Sequence, residues 1–128
     1  MATYLDLRVD RFRLALRADC VLGVLVDVTP PTVLLRGQSL PLCDLAVLFT
    51  GTTRARAPFA VCFEAGDKIA SIGVDRVEHM VVSEGSPLQP MPPFGLLRPN
   101  IFAGVLRGQG GLLLALEPFH LGQLTAPN

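Results

Sequence analysis

Tyr4-Leu5-Asp6-Leu7-Arg8-Val9-Asp10-Arg11-Phe12-Arg13-Leu14-Ala15-Leu16-Arg17 stands near the start of the chain as two runs of alternation. Apolar and polar residues exchange places step by step, the period of a half-buried strand. Phe12, Leu14 and Leu16 fall on one face of the second run, and Arg11, Arg13 and Arg17 on the other. Asp10-Arg11 sits between the runs as a tight connection, so the pair reads as a hairpin.

Beyond Arg17 the same short-strand rhythm continues. Ala18 to Val28 is apolar and admits a helical turn at Ala18 to Leu22 followed by a strand. Thr29-Pro30-Pro31-Thr32 interrupts it, because proline lacks an N–H and restricts the residue before it. Val33-Leu34-Leu35 resumes a strand, Arg36-Gly37-Gln38-Ser39 reads as a turn, and Leu40-Pro41-Leu42-Cys43 as a returning edge strand. Asp44 is placed to cap a short helix over Leu45 to Phe49. Gly51 to Pro58 is polar and reads as a linker. Phe59 to Phe63 and Lys68 to Val74 predict a hairpin turning through Glu64-Ala65-Gly66-Asp67. Asp75 to Val82 has mixed period, and Glu84 to Pro99, with five prolines, reads as an irregular crossing loop. Ile101 to Leu106 and Leu112 to Leu116 predict two more strands, and Glu117 to Leu124 a closing helix. Many short strands at short spacing favour small barrels over a βαβ sheet. On this phase Leu14, Leu16, Val61, Leu113 and Leu116 are core residues.

The chain has 128 residues, enough for one compact unit or two very small ones sharing a core. Half of them are hydrophobic, which excludes a disordered chain. No apolar run has the length to cross a bilayer. Asp6 and Arg8 interrupt the N-terminal apolar pattern, so it is not read as a signal peptide, and a cytoplasmic location is expected. Eleven basic residues balance eleven acidic ones, leaving no global field for nucleic acid or an anionic membrane. Ten of the eleven basic residues are Arg, a bias that fits a GC-rich genome before it fits an interface. Cys20, Cys43 and Cys62 are far apart among apolar neighbours and read as reduced thiols acting as small hydrophobes.

Catalytic patterns are missing. No glycine-rich phosphate loop precedes Lys68, and no G-x-S-x-G occurs. His79 and His120 have no partner at metal-ligand spacing, so neither a metal nor a cofactor is expected. Asp75 and Glu78 are three apart, but two solvated carboxylates explain them better than an acid/base pair.

Three stretches resemble one family in order and spacing. They are Leu34-Leu35-Arg36-Gly37 with Leu40-Pro41-Leu42-Cys43-Asp44-Leu45, then Ile72-Gly73-Val74-Asp75-Arg76-Val77, then Ile101-Phe102-Ala103-Gly104-Val105 with Leu112 to Leu116. Together with Tyr4 to Val24 they make nearly the whole chain resemble the CheW-like chemotaxis coupling proteins, as a shortened, divergent member.

The resemblance implies an all-β fold of two small SH3-like or OB-like five-stranded barrels sharing a hydrophobic core, ending in a short helix. The first barrel is expected to be incomplete. Subdomain 1 is expected at about residues 11–56, and subdomain 2 at about 57–124 with strand 3–9, within one domain over 1–128. It also implies an adaptor without catalytic residues, coupling chemoreceptor cytoplasmic tips to the CheA-type kinase, with other CheW-like proteins as further partners. The runners-up are a module like the kinase's own regulatory domain and a small-ligand or nucleic-acid binding barrel. Carried over by position, the receptor groove takes Val21, Val24, Leu35, Arg36, Gly37, Ile69, Val74 and Val77. An apolar stripe with a forked Arg suits a helical hairpin partner.

The chain also departs from the family. Val21-Leu22-Gly23-Val24 stands where the family has Val-x-Glu-Val, so a carboxylate is lost, and Ser71 replaces a glycine. The stretch from Val24 to Leu35 is about ten residues shorter than the family's, a loss that loop entropy makes mild. It is expected to remove part of the first barrel and with it much of the affinity for the kinase.

Overall fold

The computed structural model describes residues 2–83, 101–108 and 111–125. The elements in chain order are β1 (Ala2–Val9), β2 (Phe12–Arg17), a one-turn 3-10 helix (Ala18–Cys20), β3 (Val21–Val28), β4 (Thr32–Leu35), β5 (Gln38–Asp44), α1 (Leu45–Thr50), β6 (Ala57–Ala65), β7 (Lys68–Val74), β8 (Arg76–Ser83), β9 (Phe102–Gly108), β10 (Gly111–Leu116) and α2 (Pro118–Thr125). The opening hairpin forms as its alternation requires, with Val9 opposite Phe12 and Leu7 opposite Leu14. The crossing loop expected at 84–99 lies outside the described residues.

Two five-stranded sheets result. The first, in the order β8-β1-β2-β10-β9, is built from both ends of the chain and will be called the terminal sheet. The second, β3-β6-β7-β5-β4, is built from the middle of the chain. Each contains one parallel pair, β10 on β2 and β5 on β7, and is otherwise antiparallel. The strand pairings run across residues 56 and 57. β6 and β7 join β3–β5 in the middle sheet, and β2 joins the terminal sheet. The polar run before β6 resembled a boundary by composition, and composition carries no information about which strands pair.

A correction concerns β5. It was expected at an edge because of Pro41, yet it runs between β4 and β7. Pairing with β7 begins only at Leu42, so no ladder bond requires an N–H from Pro41. The Pro41 carbonyl accepts the Ser71 hydroxyl at 2.7 Å. The short β4 is the edge.

Three apolar clusters account for the architecture. The largest lies between the sheets and joins Leu7, Val9, Leu14 and Leu16 to Val61, Phe63, Ile72 and Val74, with Leu45 of α1 and Leu121 of α2. A second, on the opposite face of the terminal sheet, gathers Tyr4, Ala15, Leu106, Leu113 and Ala115. A third gathers Val33, Leu40, Leu42, Ala60 and Cys62 on the outer face of the middle sheet. Each sheet therefore has a small core of its own and a share in the common one. All five core residues expected from the strand phase are enclosed, none more than 2% exposed. In the terminal sheet the edge strands β8 and β9 come against each other. In the middle sheet the edges β3 and β4 stay unpaired among the described residues and flank an open hollow of about 410 Å³ lined by Leu25, Val26, Val28, Thr32, Val33 and Leu34. No helix among the described residues is long and apolar enough to cross a membrane.

Candidate functional site

The eight groove residues divide into groups. Arg36 and Gly37 form the turn between β4 and β5, both with positive φ, 51° and 81°. A two-residue hairpin turn needs that conformation to match the strand twist. Gly adopts it freely, whereas Arg pays for its Cβ. Both residues are exposed, and Arg36 has no ion pair among the described residues. Leu35 beside them is half-buried and packs, like Ile69 of β7, against the outer cluster of the middle sheet. Gly23 leaves room for it, since a Cβ there would stand 3.4 Å from Leu35 Cδ1. Val24, in the same strand as Gly23, is 40% exposed. Arg36, Gly37, Leu35 and Ile69 therefore lie on or around the middle sheet's outer side, whereas Val24, opposite Val61 of the common core, faces the other way.

The other three belong to the common core. Val21 and Val77 are half-buried against it. Val74 is fully enclosed in it and offers no surface to a partner. The reason lies in strand phase. Val74 closes β7 opposite Phe59 on the face that meets the terminal sheet, a burial that positional transfer from a family pattern does not register.

Sequence reasoning missed an interlock between the sheets. Asp44 caps α1 by accepting the Ala46 N–H at 3.2 Å. Its carboxylate also receives the Arg54 fork, Nε to Oδ2 at 2.7 Å and Nη2 to Oδ1 at 2.9 Å. The remaining Arg54 nitrogen, Nη1, donates to Asp75. Asp75 in turn accepts the Asp10 N–H of the β1–β2 turn at 2.6 Å, and its own N–H donates to the Arg8 carbonyl at 2.8 Å. One guanidinium thus ties the end of β5 to the β7–β8 junction, which is itself pinned to the terminal sheet. The hydrogen bond to Asp44 is the leading reason that Arg54 holds its proton more tightly than usual. Gly73 makes the approach possible, because a Cβ there would stand 3.0 Å from Asp44 Oδ1. The stretch 51–58 is therefore a pinned strap up to residue 56 and strand thereafter, not a free linker. Asp44 and Asp75 stand in two of the three stretches that carry the resemblance, but neither stretch names the cation that joins them, which lies in the intervening polar run.

A model of the CheW-like domain matches residues 7–125. The chain belongs to the CheW-like family. No curated protein matches it. Among solved structures it is similar to the crystal structure of the scaffolding protein TtCheW from Thermoanaerobacter tengcongensis, with a TM-score of 0.76 and 17% identity over 90% of this chain and 88% of that one. At that identity the likeness shows the fold, two β subdomains with a short C-terminal helix. The Asp44–Arg54–Asp75 interlock accordingly sits at the junction between the two β layers of a CheW-like domain.

Proposed function

We propose that this chain is a non-enzymatic adaptor of a bacterial chemosensory assembly, working in the cytoplasm by holding the signalling tip of a chemoreceptor. The observation that carries this reading is the family match over nearly the whole chain. The contact surface is centred on Arg36 and Gly37 with Leu35 and Ile69 on the middle sheet's outer side, and Val21, Val24, Val74 and Val77 are the remaining residues carried over by position. The conformation of Arg36 supports its part in this surface. An exposed Arg held at φ 51° without a counter-ion among the described residues gains nothing for the fold that Gly would not supply better. Strain at an exposed polar residue fits a side chain kept for a partner.

The same reading gives the chain weak affinity for the CheA-type kinase. Only three residues join β3 to β4, and the edges of both strands are left unpaired among the described residues. The surface that a longer connection would build there is reduced to an open hollow. The test is a pulldown against a receptor tip and against the kinase, with the native chain and with Arg36→Gly. The receptor tip is expected to be retained and the kinase to be lost in the wash. Arg36→Gly is expected to weaken tip binding while leaving the unfolding midpoint equal or higher. Kinase capture at ordinary affinity would refute the weakened-kinase reading, and unchanged tip binding by Arg36→Gly would refute the groove.

A further inference from the structure

The face of the terminal sheet turned away from the common core carries, beside its own buried cluster, a line of arginines that adaptor binding at the Arg36 turn does not use. Arg8 of β1 pairs across the sheet with Arg13 of β2 on one side and with Arg76 of β8 on the other. Cross-strand partners point to the same face, so three guanidinium groups form one row. Like charges in such a row repel, and a row of this kind needs carboxylates to hold it. Two are present. Asp6, wholly buried, receives Arg13 Nη2 at 3.1 Å. Glu78 lies 3.5 Å from Arg76 Nε.

Arg8 is left poorly matched. Its nearest carboxylate oxygen is Asp6 Oδ1, 3.6 Å from Nε, beyond hydrogen-bond range, and that carboxylate already serves Arg13. Arg8 Nε, Arg13 Nε and Asp6 Oδ1 are all buried without a hydrogen-bond partner among the described residues. Arg8 Nε has thus lost water without gaining an acceptor. Exposure rises along the row, from 15% for the Arg13 side chain through 38% for Arg8 to 72% for Arg76. The surplus positive charge is thus open to solvent at the β8 end and anchored at the β2 end.

We propose that this row is a docking surface for an acidic protein segment, whose carboxylates bridge Arg8 and Arg76. Adjacent strands are about 4.8 Å apart, so the two arginines present forks at a separation that carboxylates about 5–7 Å apart on a partner helix or strand match. Forked guanidinium groups favour carboxylates in this planar, bidentate way. A local surplus of one charge in a chain whose eleven basic and eleven acidic residues cancel fits one or two carboxylates, not a polyanion such as nucleic acid.

The test uses the full chain, isotopically labelled, and a hexaglutamate peptide as the probe, followed by amide and guanidinium NMR shifts. Shifts are expected at Arg8, Arg13 and Arg76, with binding that weakens as salt rises. Arg8→Gln with Arg76→Gln is expected to weaken binding about tenfold or more. Arg76→Gln alone, at the most exposed position, serves if the double variant does not fold, with a loss of about threefold or more expected. Shifts confined to other surfaces, or affinity unchanged in the variants, would overturn the proposal. Equal shifts with inorganic phosphate at matched charge would also overturn it, by showing that any anion suffices.

Discussion

Arg54 combines three roles that are usually separate: it neutralises a helix cap, closes a loop and joins two sheets. Its side chain is 26% exposed and that of Asp44 4%. Replacing Arg54 by Leu leaves the Asp44 carboxylate nearly buried with the Ala46 N–H as its remaining described donor. The expected loss of stability is about 3 kcal/mol, the lower end for breaking a buried pair because the strap still meets solvent. Urea unfolding reads it directly, and a loss under about 1 kcal/mol would mean that the fork is ornamental. The pH sign follows from the raised Arg54 value. Its contribution is whole below the ordinary guanidinium range and is lost only above it, so Arg54 itself gives no titration near neutrality. Cys20 behaves differently. Burial first, and the Asp19 carboxylate second, push its thiol from 9.0 up to about 11, and its Sγ donates to the Arg17 carbonyl at 3.0 Å. A raised folded value favours the protonated form, so stability from this group is complete below pH 9 and falls as pH rises through about 11. Iodoacetamide at pH 8 should accordingly alkylate Cys20 in the folded protein far more slowly than free cysteine. Equal rates would show that the thiol is not held neutral.

Among the elements, α2 depends most sharply on one residue. It lies against β6 and β7, and Gly122 is the point of closest approach. A Cβ on Gly122 would stand 2.3 Å from Ala65 Cβ, on a strand that cannot yield. Gly122→Ala improves helix propensity by about 1 kcal/mol and yet should destabilise the protein by about 1–3 kcal/mol, because overpacking outweighs propensity. A rise in melting temperature would show that α2 is free to move off the sheet. Element existence was legible for the described elements other than β8, whose mixed period named no strand, because alternation and turn chemistry act locally. The Asp10-Arg11 connection, the Asp44 cap and the Gly66 turn are of this kind, and each forms. Partnership between elements was not legible. Pro41 argued for an edge strand, and only the register with β7 explains why it sits inside. Asp6 alternates with Leu5 and Leu7 and so read as a solvent-facing residue, but the terminal sheet is covered on both faces and Asp6 is buried. Of the residues carried over to the groove, the place of Arg36 and Gly37 in a turn followed from turn chemistry, whereas the burial of Val74 required knowing what lies across from it.

At the scale of the molecule, the two sheets do not own separate halves of the sequence. The terminal sheet takes strands from both chain ends, and the middle sheet lies between them in the chain. The largest apolar cluster belongs to both, and the Arg54 strap spans them. Neither sheet can lose its packing without exposing the common core of the other. Unfolding is therefore expected as a single transition, with strand content and the environment of Tyr4 and the phenylalanines lost together. Leu14 tests this directly. It is fully buried in the common core, on a strand whose opposite face lines the terminal sheet's own cluster. Leu14→Ala should cost about 2–5 kcal/mol and move the whole transition without splitting it. Leu113→Ala, inside the terminal sheet's own cluster, should likewise shift one transition. If Leu113→Ala instead produced a separate early phase while the middle sheet kept its native hydrogen-exchange protection, the sheets would be independent units. A partner bound at one sheet could then leave the other untouched. With one transition, anything that binds either sheet stabilises both, which is what a small adaptor needs to respond as one body to whatever it holds.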